Sequence, residues 1–115
     1  MAAVVALVPD LLFGSRVEAM LAGAGHSVAL VAEPGRALEL AGDADVLVVD
    51  LAGGEIDGPA LLSEGPIGAR TLGFYSHVEP EVRDRALAAG FDQVVPRSRM
   101  NREGAELVSG LAAGT

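Results

Sequence analysis

The stretch "ADVLVVDLAGGEIDG", Ala44 to Gly58, runs through four branched aliphatics, Val46 to Val49, and stops on the carboxylate of Asp50. A second acid, Asp57, follows seven residues later with Gly58 behind it. An aspartate presented at the end of an apolar run can act as a nucleophile, ligate a cation, or simply close a turn, where Asp is common. Asp10 stands behind another apolar run, in "ALVPD", where it reads equally well as the cap of a first helix. The remaining chemistry is narrow. The chain has no cysteine, which removes disulfides, thiol catalysis and cysteine-bound zinc together. All eight basic residues are Arg, so neither a Schiff base nor a catalytic ammonium is available. His26 and His77 have no spacing that suggests a metal pair.

The elements that position these residues alternate. Apolar runs rich in Val and Leu occur at 2–8, 26–32, 44–50, 70–76 and 91–96, and each reads as a buried strand. Between them lie helical spacings. Phe13, Val17, Met20, Leu21 and Ala24 form one apolar face, stopped at Gly25. Pro34 opens a second helix with Ala37, Leu40 and Ala41 on one side, and Pro59 opens a third through Leu61 and Leu62. Pro80 starts a fourth with Val82, Ala86 and Ala89 inward, ending at Gly90. Asn101 is expected to cap a last helix bearing Ala105, Val108 and Leu111.

Five strand–helix units with continuous apolar strands imply an α/β fold: one parallel sheet with helices on both faces. Right-handed crossovers leave few topologies, and the flavodoxin-like order 2-1-3-4-5 leads. Pro96 agrees with it, because proline is tolerated on an edge strand and the fifth strand is an edge in that order. The 115 residues form a single expected domain, 1–115, without linker or repeat. Half of the residues are hydrophobic and only 3% aromatic, so Val, Leu and Ala build the core. The net charge of −8 repels phosphate backbones and argues against nucleic-acid binding. No apolar stretch approaches the ~18 residues of a membrane span, and no positive region precedes the first apolar run, so a cytoplasmic location is expected.

In open parallel sheets ligands bind at the carboxyl ends of the strands, at the switch in winding direction. That crevice lies between strands 1 and 3. Asp10 and Asp50 should converge there, with Ser76 at the end of strand 4 and Arg97 just past strand 5.

Over essentially its whole length the chain resembles the receiver domain of bacterial response regulators. Asp50 at the end of strand 3, Gly58 eight residues on, Ser76 ending strand 4, and Arg97 seven residues after Gly90 fall where that family has its acceptor aspartate, glycine, hydroxyl and lysine. Pro9 and Asp10 align with its acidic pair. The resemblance implies phosphoryl transfer to Asp50, with Mg²⁺ bridging two anionic partners and a hydroxyl and a cation holding the phosphoryl oxygens.

Several parts depart from the family. Pro9 replaces the first acid, leaving Asp10 and Asp50 as a weak Mg²⁺ pair. Arg97 replaces the lysine, and the two cations are not interchangeable at a tight site. Ser98 stands where a proline usually makes a cis bond, Val94 where many members carry an aromatic, and His77 where a small residue keeps the phosphate pocket open. The departures favour a degenerate, pseudo-receiver module that signals through protein–protein contact without standard aspartyl phosphorylation and requires no cofactor. Its partner would be a signalling protein or histidine kinase. By resemblance, the face of the fourth helix, fifth strand and fifth helix could support a homodimer. Two alternatives stand beside it: a working phosphoacceptor, whose only activity would be autophosphorylation of Asp50 from a donor with Mg²⁺, and a flavodoxin-like domain for a small ligand. The arginine-rich "PRSRMNR" reads as a solvated loop ahead of the last helix. "GAG" at 23–25 lies before strand 2 rather than after strand 1, so it is no dinucleotide loop, and neither a P-loop nor a G-x-S-x-G elbow occurs.

Overall fold

The structure, a computed structural model, describes residues 2–52, 55–64, 67–76 and 79–114. Five strands and five helices alternate: β1 (Ala3–Leu7), α1 (Leu11–Gly23), β2 (Ser27–Val31), α2 (Pro34–Ala41), β3 (Val46–Asp50), α3 (Gly58–Ser63), β4 (Arg70–Tyr75), α4 (Pro80–Ala89), β5 (Gln93–Pro96) and α5 (Arg97–Ala112). All pairings are parallel and the order is β2-β1-β3-β4-β5, as the alternation predicts. Pro96 ends the edge strand β5 opposite Tyr75.

Each central strand is apolar on both faces because helices cover both. Val4, Ala6, Val46 and Val48 point to the α1/α5 layer with Phe13, Val17, Met100 and Val108. Their neighbours Val5, Leu7, Leu47 and Val49 point to the other layer with Ala37, Leu61 and Ala86. This period-2 division of continuous apolar strands is what a doubly covered parallel sheet requires.

Two glycines bring the segment behind β3 close to the sheet. A Cβ on Gly58 would stand 2.8 Å from a Leu51 methyl, and one on Gly73 would stand 2.8 Å from the other, with Phe91 against both sites. Leu51, 2% exposed, is therefore anchored between them, and it fixes the chain directly after Asp50. Gly90 closes α4 at φ 116°, in the left-handed region that glycine enters freely.

Three expectations are corrected. The last helix starts at Arg97 and not at Asn101, which sits exposed inside it, so all of "PRSRMNR" after Pro96 is the first turns of α5 rather than a loop. Pro96 precedes that helix with extended geometry and its rigid φ of −63°, a start that needs no side-chain cap. Ala24 and Ala89 are exposed, since both lie where their helices leave the sheet. Leu87, partly buried, packs inward on α4 instead.

Candidate functional site

Side-by-side pairing of β1 with β3 carries the chain ends after both strands to the same edge of the sheet. Asp10 caps α1: its Oδ1 accepts the Phe13 N–H at 3.0 Å. Its second oxygen, Oδ2, lies 3.6 Å from Nη2 of Arg97, the first residue of α5. The same guanidinium lies 4.1 Å above the Phe13 ring, which in turn packs at 5.2 Å against Phe74 of β4. Arg97 is thus held from two sides, by a carboxylate and by an aromatic face.

Asp50 differs in setting. It is 6% exposed, and its Oδ1 accepts the Ala52 N–H at 2.9 Å, an Asx-type closure of the turn behind β3. A cleft of about 510 Å³ opens over it, bounded by Asp10, Asp50, Glu55 and Arg97, with Leu11 and Leu12 on the rim. The two leucines are 82% and 84% exposed.

The two acids are driven apart electrostatically. The Phe13 N–H holds Asp10 below the usual carboxylate range against some desolvation, with Arg97 assisting. Burial pushes Asp50 up; the Ala52 N–H and Arg97 oppose this, and Asp10 and Glu55 add to it.

The structure brings Asp10, Asp50 and Arg97 to one cleft. Ser76 lines an adjoining cavity with Phe13, Arg16, Arg97, Ser98 and Asn101, so Arg97 forms the wall between the two. Val94 is buried in the core beside Tyr75, Ser98 is exposed in the first turn of α5, and no cis peptide bond occurs among the described residues. His77 lies outside the described residues. Glu55, the third acid of the cleft, escapes sequence reading because nothing in "GGEIDG" distinguishes it from a solvated loop acid; only the turn behind Asp50 brings it round. Asp57, conspicuous in sequence, caps α3 by accepting the Ala60 N–H at 3.0 Å and does not line the cleft.

A divalent cation between Asp10 and Asp50 meets an obstacle here. Mg²⁺ takes octahedral oxygen ligands at about 2.0–2.1 Å, commonly one or two carboxylates and waters. Asp10 already commits one oxygen to the helix cap and turns the other to Arg97, and Asp50 commits one to Ala52. Among the described residues no group of three or more His, Asp or Glu side chains could hold a metal ion. The donors as they stand do not fit Mg²⁺ unless Arg97 leaves Asp10.

No protein-family model matches the sequence, and no curated protein matches it. Solved structures do. The receiver domain of a Francisella response regulator superposes with a TM-score of 0.84 at 18% identity, covering 99% of this chain and 98% of its own. The signal receiver domain of the NarL response regulator of Mycobacterium tuberculosis gives 0.82 at 24% identity, covering 99% and 98%. The receiver domain of a sensor histidine kinase from Pseudomonas aeruginosa PAO1, described with a magnesium ion coordinated in its active-site cleft, gives 0.80 at 18% identity, covering 97% and 98%. The chain therefore has the receiver fold over its length. No helix among the described residues is long and apolar enough to cross a membrane.

Proposed function

We propose that this chain is a receiver-type signalling module that works through contacts with a protein partner and does not use ordinary phosphorylation of Asp50. The observation that carries the reading is the Asp10–Arg97 pair at 3.6 Å. In the resemblance, the acid after β1 serves a metal and the cation after β5 serves a phosphoryl group. Here each is spent on the other. Pro9 supplies no second acid to replace Asp10. Burial also raises the proton affinity of Asp50, which works against its carboxylate form.

With Asp10 turned to Arg97 and Pro9 in place of a second acid, the donors for a cation that would shield one anion from another are incomplete, which weakens the electrostatic stabilisation on which phosphoryl transfer depends. The chemistry left to the cleft is recognition. A signalling protein or a kinase docking domain would read the surface around it, and the α4, β5 and α5 face remains the surface for self-association. The working-phosphoacceptor reading keeps one specific support: Asp50 does border a cleft that also holds Arg97 and Asp10.

Intact mass after incubation with Mg²⁺ and acetyl phosphate separates the two. The proposed reading expects the unmodified mass for both the natural chain and Asp50→Asn. A stoichiometric phosphoryl adduct, lost in Asp50→Asn, would establish the phosphoacceptor instead.

A further inference from the structure

Between the first turns of α3 and α4, on the sheet face opposite α1 and α5, lies a cavity of about 270 Å³. Its floor is apolar and closed. Leu51, Ile56 and Ala86 are 2%, 7% and 0% exposed, and half-buried Pro59 and Val82 stand at its sides. Its rim is acidic. Asp57 comes from the turn before α3, and Glu79 and Glu81 come from the start of α4. Asp57 gives one oxygen to the Ala60 N–H, and none of the three acids has an ion pair among the described residues. Arg85 is the cation of the rim. It stands at i, i+4 from Glu81, a spacing at which the two residue types commonly pair, yet it too makes no ion pair among the described residues.

An apolar floor beneath unpaired carboxylates suits a side chain that is apolar along its stem and cationic at its tip. Such a group lays its methylenes on the floor and leaves its charge at the rim. The volume lies below the roughly 300–1,000 Å³ of small-molecule sites and matches one inserted side chain rather than an organic cofactor. Charge also decides whose side chain it is. The chain has no Lys, and six of its eight arginines already have a carboxylate within 4.0 Å, so a second copy has few free cations to offer. Two copies at a net charge of −8 each also repel one another.

We infer that the α3–α4 cavity is a docking site for an arginine of a different protein, carried on a short segment with apolar neighbours. A guanidinium fork can serve two carboxylates of the rim at once, which a lysine ammonium does less well. The apolar neighbours of that arginine meet Pro59 and Val82 at the sides. The inference rests on the reading of the chain as a partner-binding module. It does not depend on whether Asp50 is phosphorylated, because neither Asp50 nor Arg97 lines this cavity.

The test is an amide chemical-shift titration of the full chain with the peptide acetyl-Ala-Leu-Arg-Leu-Ala-amide, and with the same peptide carrying lysine or glutamine in place of arginine. Saturable shifts are expected at Gly58, Glu81, Val82 and Ala86. The arginine peptide should bind about twofold tighter than the lysine one and about fivefold or more tighter than the glutamine one. Glu81→Gln should weaken binding about threefold, and Arg85→Gln, which removes the competing cation of the rim, should tighten it about twofold. Arg16→Gln makes the same change of net charge away from the cavity and should leave the affinity unchanged. The same spectra report whether each variant is folded, and all three substituted side chains are exposed. Absence of saturable shifts, equal affinity for the glutamine peptide, or equal tightening in Arg16→Gln and Arg85→Gln would each overturn the assignment. Concentration-dependent shifts of the same amides without peptide would assign the cavity to a second copy and overturn it as well. A phosphoryl adduct on Asp50 with the titration intact would instead sink the unphosphorylated reading alone.

Discussion

At the amino ends of the strands, Asp45 accepts the Ala3 N–H at 2.8 Å, and Asp92 accepts both the N–H and the hydroxyl of Thr71, at 2.8 and 3.2 Å. Asp92 also takes back a bond, its own N–H reaching the Thr71 hydroxyl at 3.0 Å. At the carboxyl ends, Asp50 and Asp10 each give one oxygen to a turn or cap and line one cleft, where the second oxygen of Asp10 meets Arg97. The same residue type is a strand clamp at one end and a cleft group at the other. Each of the four gives one oxygen to a backbone N–H, and what separates them is that Asp10 and Asp50 also line a cleft. A carboxylate that ties one strand to the next stabilises the sheet, and one placed on a cleft can meet a ligand, at a cost to stability where it is buried.

Substitutions can break this contrast. Asp92→Ala should have the largest effect, because it strips a part-buried clamp from Thr71, itself only 4% exposed. A loss of about 1.5–3 kcal/mol is expected in urea unfolding, as for hydrogen bonds to a charged group. Asp45→Ala removes one exposed bond at the start of β1 and should cost about 1 kcal/mol in the same measurement. If either proved neutral, the clamp role would be lost.

Asp50→Asn should move stability the other way. It keeps an acceptor for Ala52 and removes a desolvated charge, so thermal melting should rise by roughly 2–5 °C at neutral pH. The sign follows from linkage. Because burial raises Asp50 above the usual carboxylate value, the folded state holds its proton longer than the unfolded chain does. Stability from this group therefore falls as pH rises from the usual value through the raised one. The advantage of Asp50→Asn should be full above that window and vanish below it. Asp10→Asn should have the smallest effect, within about 2 °C at neutral pH, since asparagine caps helices as well and the lost ion pair is half exposed. Its trace should show in acid: Asp10 is lowered in the fold, so its contribution is lost as pH falls below the usual carboxylate value, and the variant should lack that loss.

Much of this architecture is legible in the sequence, because the strands are uninterrupted Val and Leu runs and Gly25 and Gly90 sit where helices must stop. The start of α5 is not. Its first turns, "RSRMNR", bury only Met100, so no apolar period marks them, and Asn101 imitates a cap. The site was legible as a list of residues and not as a set of pairings. That Asp10 and Asp50 end neighbouring strands follows from topology. That Arg97 turns to Asp10 and the Phe13 face depends on where α5 begins, and the misplaced helix start hides it. Gly58 was visible by its spacing from Asp50, but its reason, the Leu51 methyl group 2.8 Å from where a Cβ would stand, needs coordinates.

The pairing of Asp10 with Arg97 is the centre of this account, and a magnesium titration followed by amide shifts at Asp10, Asp50 and Ala52 tests it most directly. The natural chain should show no saturable change at millimolar-order Mg²⁺, while Arg97→Ala, which releases Asp10, should gain one. Saturable shifts at both acids in the natural chain would contradict it.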